Sequence, residues 1–216
     1  MKINEVDTPL VSVILTVFNR EKYLRRSIDS LLNQSLVNWE LIAVDDGSED
    51  SSFEILQWYA SQNSKIIVLK QKNMRLPLSR NRGIKAASGK YITFLDSDDE
   101  YEIDHLKKRA ELLEKNPAID LLHGGVNIIG DKYVKDKDNP ERFIHLSECT
   151  VGATFFGKRE VFIQLDGFKN LEYSEDSEFM ERAKKHFNVK KVDFKTYKYH
   201  RDSPDSITKT YAQQKL

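Results

Sequence analysis

The chain has 216 residues, with 34 Lys plus Arg against 34 Asp plus Glu, and so no formal net charge. Binding to duplex nucleic acid draws on a basic excess, and its absence leaves no nucleic-acid partner to expect. A single cysteine, Cys149, excludes an intramolecular disulfide and a thiol metal knuckle. No stretch approaches the ~20 apolar residues of a membrane span, and the charged first residues do not read as a signal peptide, so a soluble, cytoplasmic domain is expected.

With no repeat or linker, residues 1–216 read as one domain: a first half over about 8–116, a second over about 117–200, and a polar tail. The apolar, β-branched run Val11–Leu15 predicts a buried strand. Leu24, Ile28, Leu31 and Leu32 then draw one helical stripe. Glu40–Val44 predicts a second strand, and Asp50–Gln62 a helix capped by Ser48 or Asp50. Ile66–Leu69 is a third strand, followed by a short helix over Ser79–Ala87 that ends at Gly89. Tyr91–Leu95 is a fourth strand, and Asp104–Lys115 a helix stopped before Pro117. Such alternation predicts an α/β fold with a mostly parallel sheet flanked by helices.

The second half is less regular. Leu121–Ile129 predicts a strand, residues 131–150 a loop or hairpin, and Ala153–Phe156 another strand. Arg159–Leu165 and Glu175–Phe187 predict helices, the latter through Phe179, Met180, Ala183 and Phe187. Val192–Tyr199 reads as one strand or two.

Ligands of open parallel sheets bind beyond the carboxyl ends of the strands. The first predicted strand leads into Thr16-Val-Phe-Asn19, the second into Asp45-Asp46-Gly47-Ser48, and the fourth into Asp96-Ser97-Asp98-Asp99. Taken singly these are ordinary turn and capping residues. Two acidic strand ends on one rim repel each other unless a cation or ligand donors lie between them. Eight basic and no acidic residues fill Lys65–Lys90, whereas six acidic and no basic residues fill Asp96–Asp104. Such runs are usually solvated faces. Here Arg80 and Arg82 are expected in a first helical turn, where an anion would offset the unfavourable dipole. A hard divalent cation, Mg²⁺ or Mn²⁺, on Asp98 beside a phosphate-seeking segment would make a metal-diphosphate site. Glu175-Asp176 opens a helix, which the dipole alone explains, although a carboxylate there also suits a general base.

Together, Val11–Arg20, Glu40–Ser48, Ser79-Arg-Asn-Arg-Gly83, Gly89–Asp99 and Glu175-Asp176 occur in an order that resembles the inverting, GT-A-fold glycosyltransferases of the family 2 type. The resemblance spans about residues 8–200. It implies a GT-A fold and transfer of a sugar from a nucleotide-sugar donor, a UDP-sugar foremost, to a saccharide or lipid-linked acceptor in polysaccharide biosynthesis. It further implies that Thr16 and Asn19 line the nucleotide pocket, that Asp45-Asp46 meets the base through Asp46, and that Arg80 lies near the base or diphosphate. Asp96 would approach the ribose, Asp98 of the Asp-x-Asp motif would coordinate the metal, and His200 would be a further metal or diphosphate contact. Asp176 would remove the acceptor proton.

Threonine stands at position 16 where this family often has proline, and Asn73–Leu78 lacks a common glycine, which leaves Arg75 to replace a backbone contact. The chain ends soon after His200, so an acceptor site open or shared with a partner is expected, with a homo-oligomer among the expected assemblies. A lipid-linked acceptor would hold the chain peripherally at the inner membrane face. A nucleotidyltransferase would need a glycine-rich loop after strand one, and Thr16–Asn19 has no glycine. A non-catalytic nucleotide-sugar-binding module is the other reading, against which intact Asp98 and Asp176 count. In a response regulator the phospho-acceptor would end a third strand, where Lys70-Gln71 stands.

Overall fold

The structure, a computed structural model, describes residues 8–201 apart from 137, 138 and 140. The first half runs β1 (Val11–Val17), α1 (Leu24–Leu32), β2 (Trp39–Asp45), α2 (Ser52–Gln62), β3 (Ile66–Lys70), α3 (Leu76–Ala86), β4 (Tyr91–Asp96), β5 (Glu100–Tyr101) and α4 (His105–Lys115). Then follow β6 (Leu121–His123), β7 (Val126–Ile129), β8 (Tyr133–Lys135), β9 (Phe143–His145), β10 (Phe156–Lys158), α5 (Arg159–Gln164), α6 (Glu175–His186), β11 (Val189–Lys191) and β12 (Tyr197–His200).

Seven strands form the main sheet in the order β11-β6-β10-β4-β1-β2-β3. The block β4-β1-β2-β3 is parallel, and β10 alone runs antiparallel to both its neighbours. Because β1 is central and covered on both faces, its sequence is a continuous apolar run rather than an alternation. Val11, Val13 and Leu15 pack with Leu24, Ile28 and Leu31 of α1, Leu56 of α2 and Leu106 of α4. Ile14 faces the opposite layer, with Ile84 of α3, Phe162 of α5 and Phe179 of α6. In that layer Phe179 stacks on Phe155, Phe162 and Phe168 with centroids 5.5, 5.4 and 4.7 Å away. Each fully buried phenylalanine contributes about 1.5–3 kcal/mol, so the start of α6 is held firmly against the sheet. Trp39 is core as well.

Several boundaries differ from expectation. The third helix starts at Leu76, where Pro77 suits a first turn, so Arg80 and Arg82 lie a turn deeper than the sequence suggests. It ends at Ala86, before Gly89. Leu32 is 38% exposed and leaves the α1 stripe. Asp50 accepts from the Ser52 N–H at the start of α2, whereas Ser48 accepts from Asn19. The expected strand Leu121–Ile129 is two strands in different sheets, because Gly124 and Gly125 both take positive φ (90° and 77°) and turn the chain. Residues 131–150 contain the hairpin β8–β9. Gly152–Thr154 is a 3₁₀ turn, and strand β10 follows it rather than spanning Ala153–Phe156. Val192–Tyr199 is not one strand: β11 precedes it and β12 closes it. The latter lies between β5 and β7 in a second, three-stranded sheet. Among the described residues no helix is long and apolar enough to cross a membrane.

Candidate active site

The parallel register sets the rim. Thr16 lies opposite Asp96 on one side and Val44 on the other, and Val17 lies opposite Asp45. The carboxyl ends of β1, β2 and β4 thus reach one level, where a cleft of about 960 Å³ opens. Thr16, Asn19, Asp46, Arg80, Asp96, Asp98, Asp176 and His200 all line it. Of the sequence-derived candidates only Asp45 does not: it is fully buried under the rim.

At the β1–β2 end, Asn19 adopts φ 53°, a conformation asparagine tolerates, and its Oδ1 accepts from the Glu49 N–H at 2.8 Å. Asp46 Oδ1 accepts from Gln71 Nε2 at 2.6 Å and from the Met74 N–H at 2.8 Å. Both bonds fix the carboxylate on the cleft wall.

In the middle, Arg80 is 3% exposed and bridges two carboxylates. Its Nη2 is 3.0 Å from Asp96 Oδ1, and its Nη1 is 3.1 Å from Glu175 Oε1. Burial alone would lower its pKa, but Asp96 and Glu175 outweigh that and raise it. The guanidinium therefore stays cationic and is committed to joining the β4 end to the start of α6. Its charge sits among the cleft's own acids, one turn deeper in α3 than a first-turn position. Arg82 instead donates to the Lys70 carbonyl and to Gln71. Gly83 completes the motif for a packing reason: a Cβ there would stand 2.5 Å from Ile14 Cγ2.

The helix α6 begins after Ser174 in a left-handed conformation and brings Asp176 into the cleft lining. Asp176 accepts from the Gly152 N–H at 3.1 Å and the Ser177 N–H at 2.7 Å. Burial, and then the adjacent Glu175 charge, push its carboxyl up to about 6, against the opposing pull of Arg80. A carboxylate with that pKa is ionised at neutral pH yet basic enough to take a proton in a transition state.

Four acids sit at positions 96, 98, 99 and 100, and the structure separates their tasks. Asp98 is on the cleft surface. Asp99 is 1% exposed and turned inward, accepting from Tyr197 Oη at 2.8 Å and the His200 N–H at 2.7 Å. Burial first, then Asp96 and Asp98, raise its pKa well above the carboxylate range. Glu100 Oε1 is 2.7 Å from His200 Nε2. No group of three or more His, Cys, Asp or Glu side chains able to hold a metal occurs among the described residues. A Mg²⁺ or Mn²⁺ held between one carboxylate and substrate phosphates needs no such group, and Asp98 fits as that carboxylate.

The sequence does not pair Glu175 with Arg80, Gln71 with Asp46, or Asp99 with Tyr197. An adjacent carboxylate pair was the one signal for Glu175. Arg75, expected to replace a backbone contact in the loop that lacks a common glycine, lines the cleft. It has φ 72° and ψ 161°, a region that glycine occupies almost alone, at the cleft edge. Its guanidinium meets Glu172 at 3.1 Å, with both side chains well exposed. Relief of that strain, less the entropy glycine adds to the unfolded chain, should leave Arg75→Gly more stable by about 1 kcal/mol. Thermal unfolding should show a midpoint about 2–4 °C higher, and an unchanged or lower midpoint would count against the strain.

Comparison with known proteins decides the family. The profile of "Glycosyl transferase family 2" matches residues 12–167. This chain belongs to that family. It is 35% identical over 229 residues to the putative glycosyltransferase EpsH of Bacillus subtilis, covering 98% of this chain and 66% of the relative. It is 35% identical over 142 residues to TuaG, a putative teichuronic acid biosynthesis glycosyltransferase of the same organism, covering 65% of this chain and 54% of the relative. The chain thus spans about two thirds or less of these relatives. Among solved structures, S. aureus TarS 1-349 in complex with UDP-GlcNAc superposes with a TM-score of 0.74 at 21% identity, covering 91% of this chain and 60% of that one. The mannosyltransferase PcManGT from Pyrobaculum calidifontis, in complex with GDP-Man and Mn2+, gives 0.70 at 17% identity, covering 89% and 57%. These likenesses establish the GT-A fold. Asp176 and β12 lie beyond the segment matched by the family profile.

Proposed function

We propose that the protein is an inverting glycosyltransferase that moves a sugar from a nucleotide-diphosphate donor to an acceptor hydroxyl. The observation that carries this reading is the meeting, in one cleft, of the β1, β2 and β4 rim with Asp176 from the start of α6. The donor occupies the rim, with its base against Asp46, its ribose toward Asp96 and its nucleotide flanked by Thr16 and Asn19. Asp98, with His200 beside it, holds a divalent cation, which when bound neutralises charge on the departing diphosphate. Asp176 accepts the proton of the acceptor hydroxyl as that oxygen attacks the anomeric carbon, in a single displacement. Arg80 keeps Glu175 and Asp96 in place on either side of the reacting centre. A UDP-sugar donor is supported by the TarS complex with UDP-GlcNAc. The GDP-Man complex of PcManGT makes GDP the second nucleotide to try, and its Mn2+ supports metal dependence. A saccharide acceptor is in keeping with the name of the teichuronic acid biosynthesis relative.

Thermal unfolding with UDP, GDP, dTDP and ADP, each with and without Mn²⁺, tests the donor site. A ligand at 100 times its dissociation constant stabilises by about 2.7 kcal/mol, a shift of roughly 5–10 °C at this size. One nucleotide should give that shift in a Mn²⁺-dependent way, and Asp98→Ala should abolish it. No shift with any nucleotide would refute the donor site.

A further inference from the structure

The carboxylate of Asp99 points away from the cleft, and β12 crosses behind the turn that carries Asp98. Tyr197 Oη accepts from the Asp96 N–H at 3.2 Å and donates to Asp99 Oδ2 at 2.8 Å. Asp99 Oδ1 takes the His200 N–H at 2.7 Å. One buried tyrosine and one buried carboxylate therefore tie both ends of the Asp96–Asp99 turn to the strand that delivers His200. The Ser27 hydroxyl secures the same turn by donating to the Asp99 carbonyl at 2.6 Å. Below it lies a rigid platform. The Tyr197 ring is fully buried, edge-on to Tyr101 at 5.7 Å and to His105 at 5.9 Å. Tyr101 stacks on His105 at 3.9 Å, and Arg109 Nη1 donates to the neighbouring Thr196 hydroxyl at 2.7 Å.

We propose that Tyr197 and Asp99 are positioning residues that set the placement of Asp98 relative to His200 and so give the donor site its affinity for the divalent cation. The inference rests on the donor site proposed above. Neither residue is among those lining the cleft. Asp98 has only one residue between it and Asp96, and a cation that shares its ligands between protein and diphosphate tolerates little displacement. Changing the groups that orient a metal's ligands typically costs 10–100-fold in metal affinity.

The test compares nucleotide affinity by calorimetry, using the diphosphate that shifts the wild type, with Mn²⁺ and with a chelator. Tyr197→Phe removes the shared hydroxyl, and Asp99→Asn keeps the side chain's size but one acceptor oxygen. Tyr101→Phe is the control, because its hydroxyl donates to the Phe94 carbonyl and does not reach the turn. Tyr197→Phe and Asp99→Asn should each lose about 10-fold or more of the Mn²⁺-dependent gain in affinity. Their affinity in chelator should stay within about 2-fold of the wild type, and the control should keep the full gain. Equal losses with and without metal would show a structural role only and overturn the proposal. So would a full gain retained in both variants, or failure of both to fold. A wild type that binds nucleotide with no Mn²⁺ dependence would overturn the metal assignment itself, and this inference with it, while leaving the nucleotide site standing.

Discussion

Asp176→Asn is expected to lower sugar transfer by about 100- to 10,000-fold, the usual contribution of a positioned general base, while nucleotide affinity stays close to that of the wild type. The separation follows from geometry: Asp176 is carried by α6, accepts from the Gly152 and Ser177 N–H groups, and among the described residues makes no hydrogen bond to the Thr16–Asp46 rim. Transfer measured as nucleotide diphosphate release, beside calorimetric binding, checks both halves. Undiminished transfer would remove Asp176 from the reaction. In the wild type, transfer should fall on the acid side with an apparent pKa near the value of about 6 to which burial lifts this carboxyl. The same shift has a consequence for stability. Between about pH 4 and 6 the folded chain holds this proton while the unfolded chain has released it, so the group's stabilising contribution declines as pH rises through that window. Above pH 6 the decline is complete, and Asp176 is kept ionised at a cost in stability that favours its use as a base.

Much of this site was legible because its chemistry lies at strand ends. Apolar runs fix β1, β2 and β4, and whatever follows such a strand falls on one rim in a parallel sheet. Thr16, Asp46, Asp96 and Asp98 could therefore be placed together before any contact was known. Asp176 was reached through its family resemblance and the acidic first turn of α6, since periodicity places the helix but not what faces it. The pairing of Arg80 with Glu175 spans 95 residues, and no local pattern predicts which of two adjacent acids turns toward a buried cation. Asp99 shows the same limit. In a run of acids the inward one is chosen by Tyr197, about a hundred residues away, a pairing that no local pattern shows. The second half was hardest where the strands are short: β6, β8, β9, β10 and β11 have three residues each, too few for a period to emerge.

Arg80→Met should destabilise the fold by about 3–5 kcal/mol, the cost of breaking a buried ion pair by removing one partner. At this chain length the unfolding midpoint would fall by roughly 6–20 °C. The Arg80 side chain is 4% exposed and those of Asp96 and Glu175 are 27% and 14% exposed, so the loss strands two poorly solvated carboxylates. The guanidinium also lies over the Phe94 and Phe168 rings at 5.5 and 5.4 Å, so packing is lost with the charge. Methionine restores much of the volume, which leaves unbalanced charge as the larger part. The Glu175 charge would then act on Asp176 without the opposing pull of Arg80, and protonation of Asp176 would relieve it. The variant should accordingly recover stability as pH is lowered toward 5, a direction opposite to ordinary acid unfolding. Arg80→Lys keeps one charge but cannot reach two carboxylates with one ammonium in the way a planar fork does, so its midpoint should fall between wild type and Arg80→Met. Unfolding midpoints of all three proteins from pH 5 to 8 check the ordering. If Arg80→Met matched the wild type throughout that range, the guanidinium bridge would not be what joins the β4 rim to the start of α6.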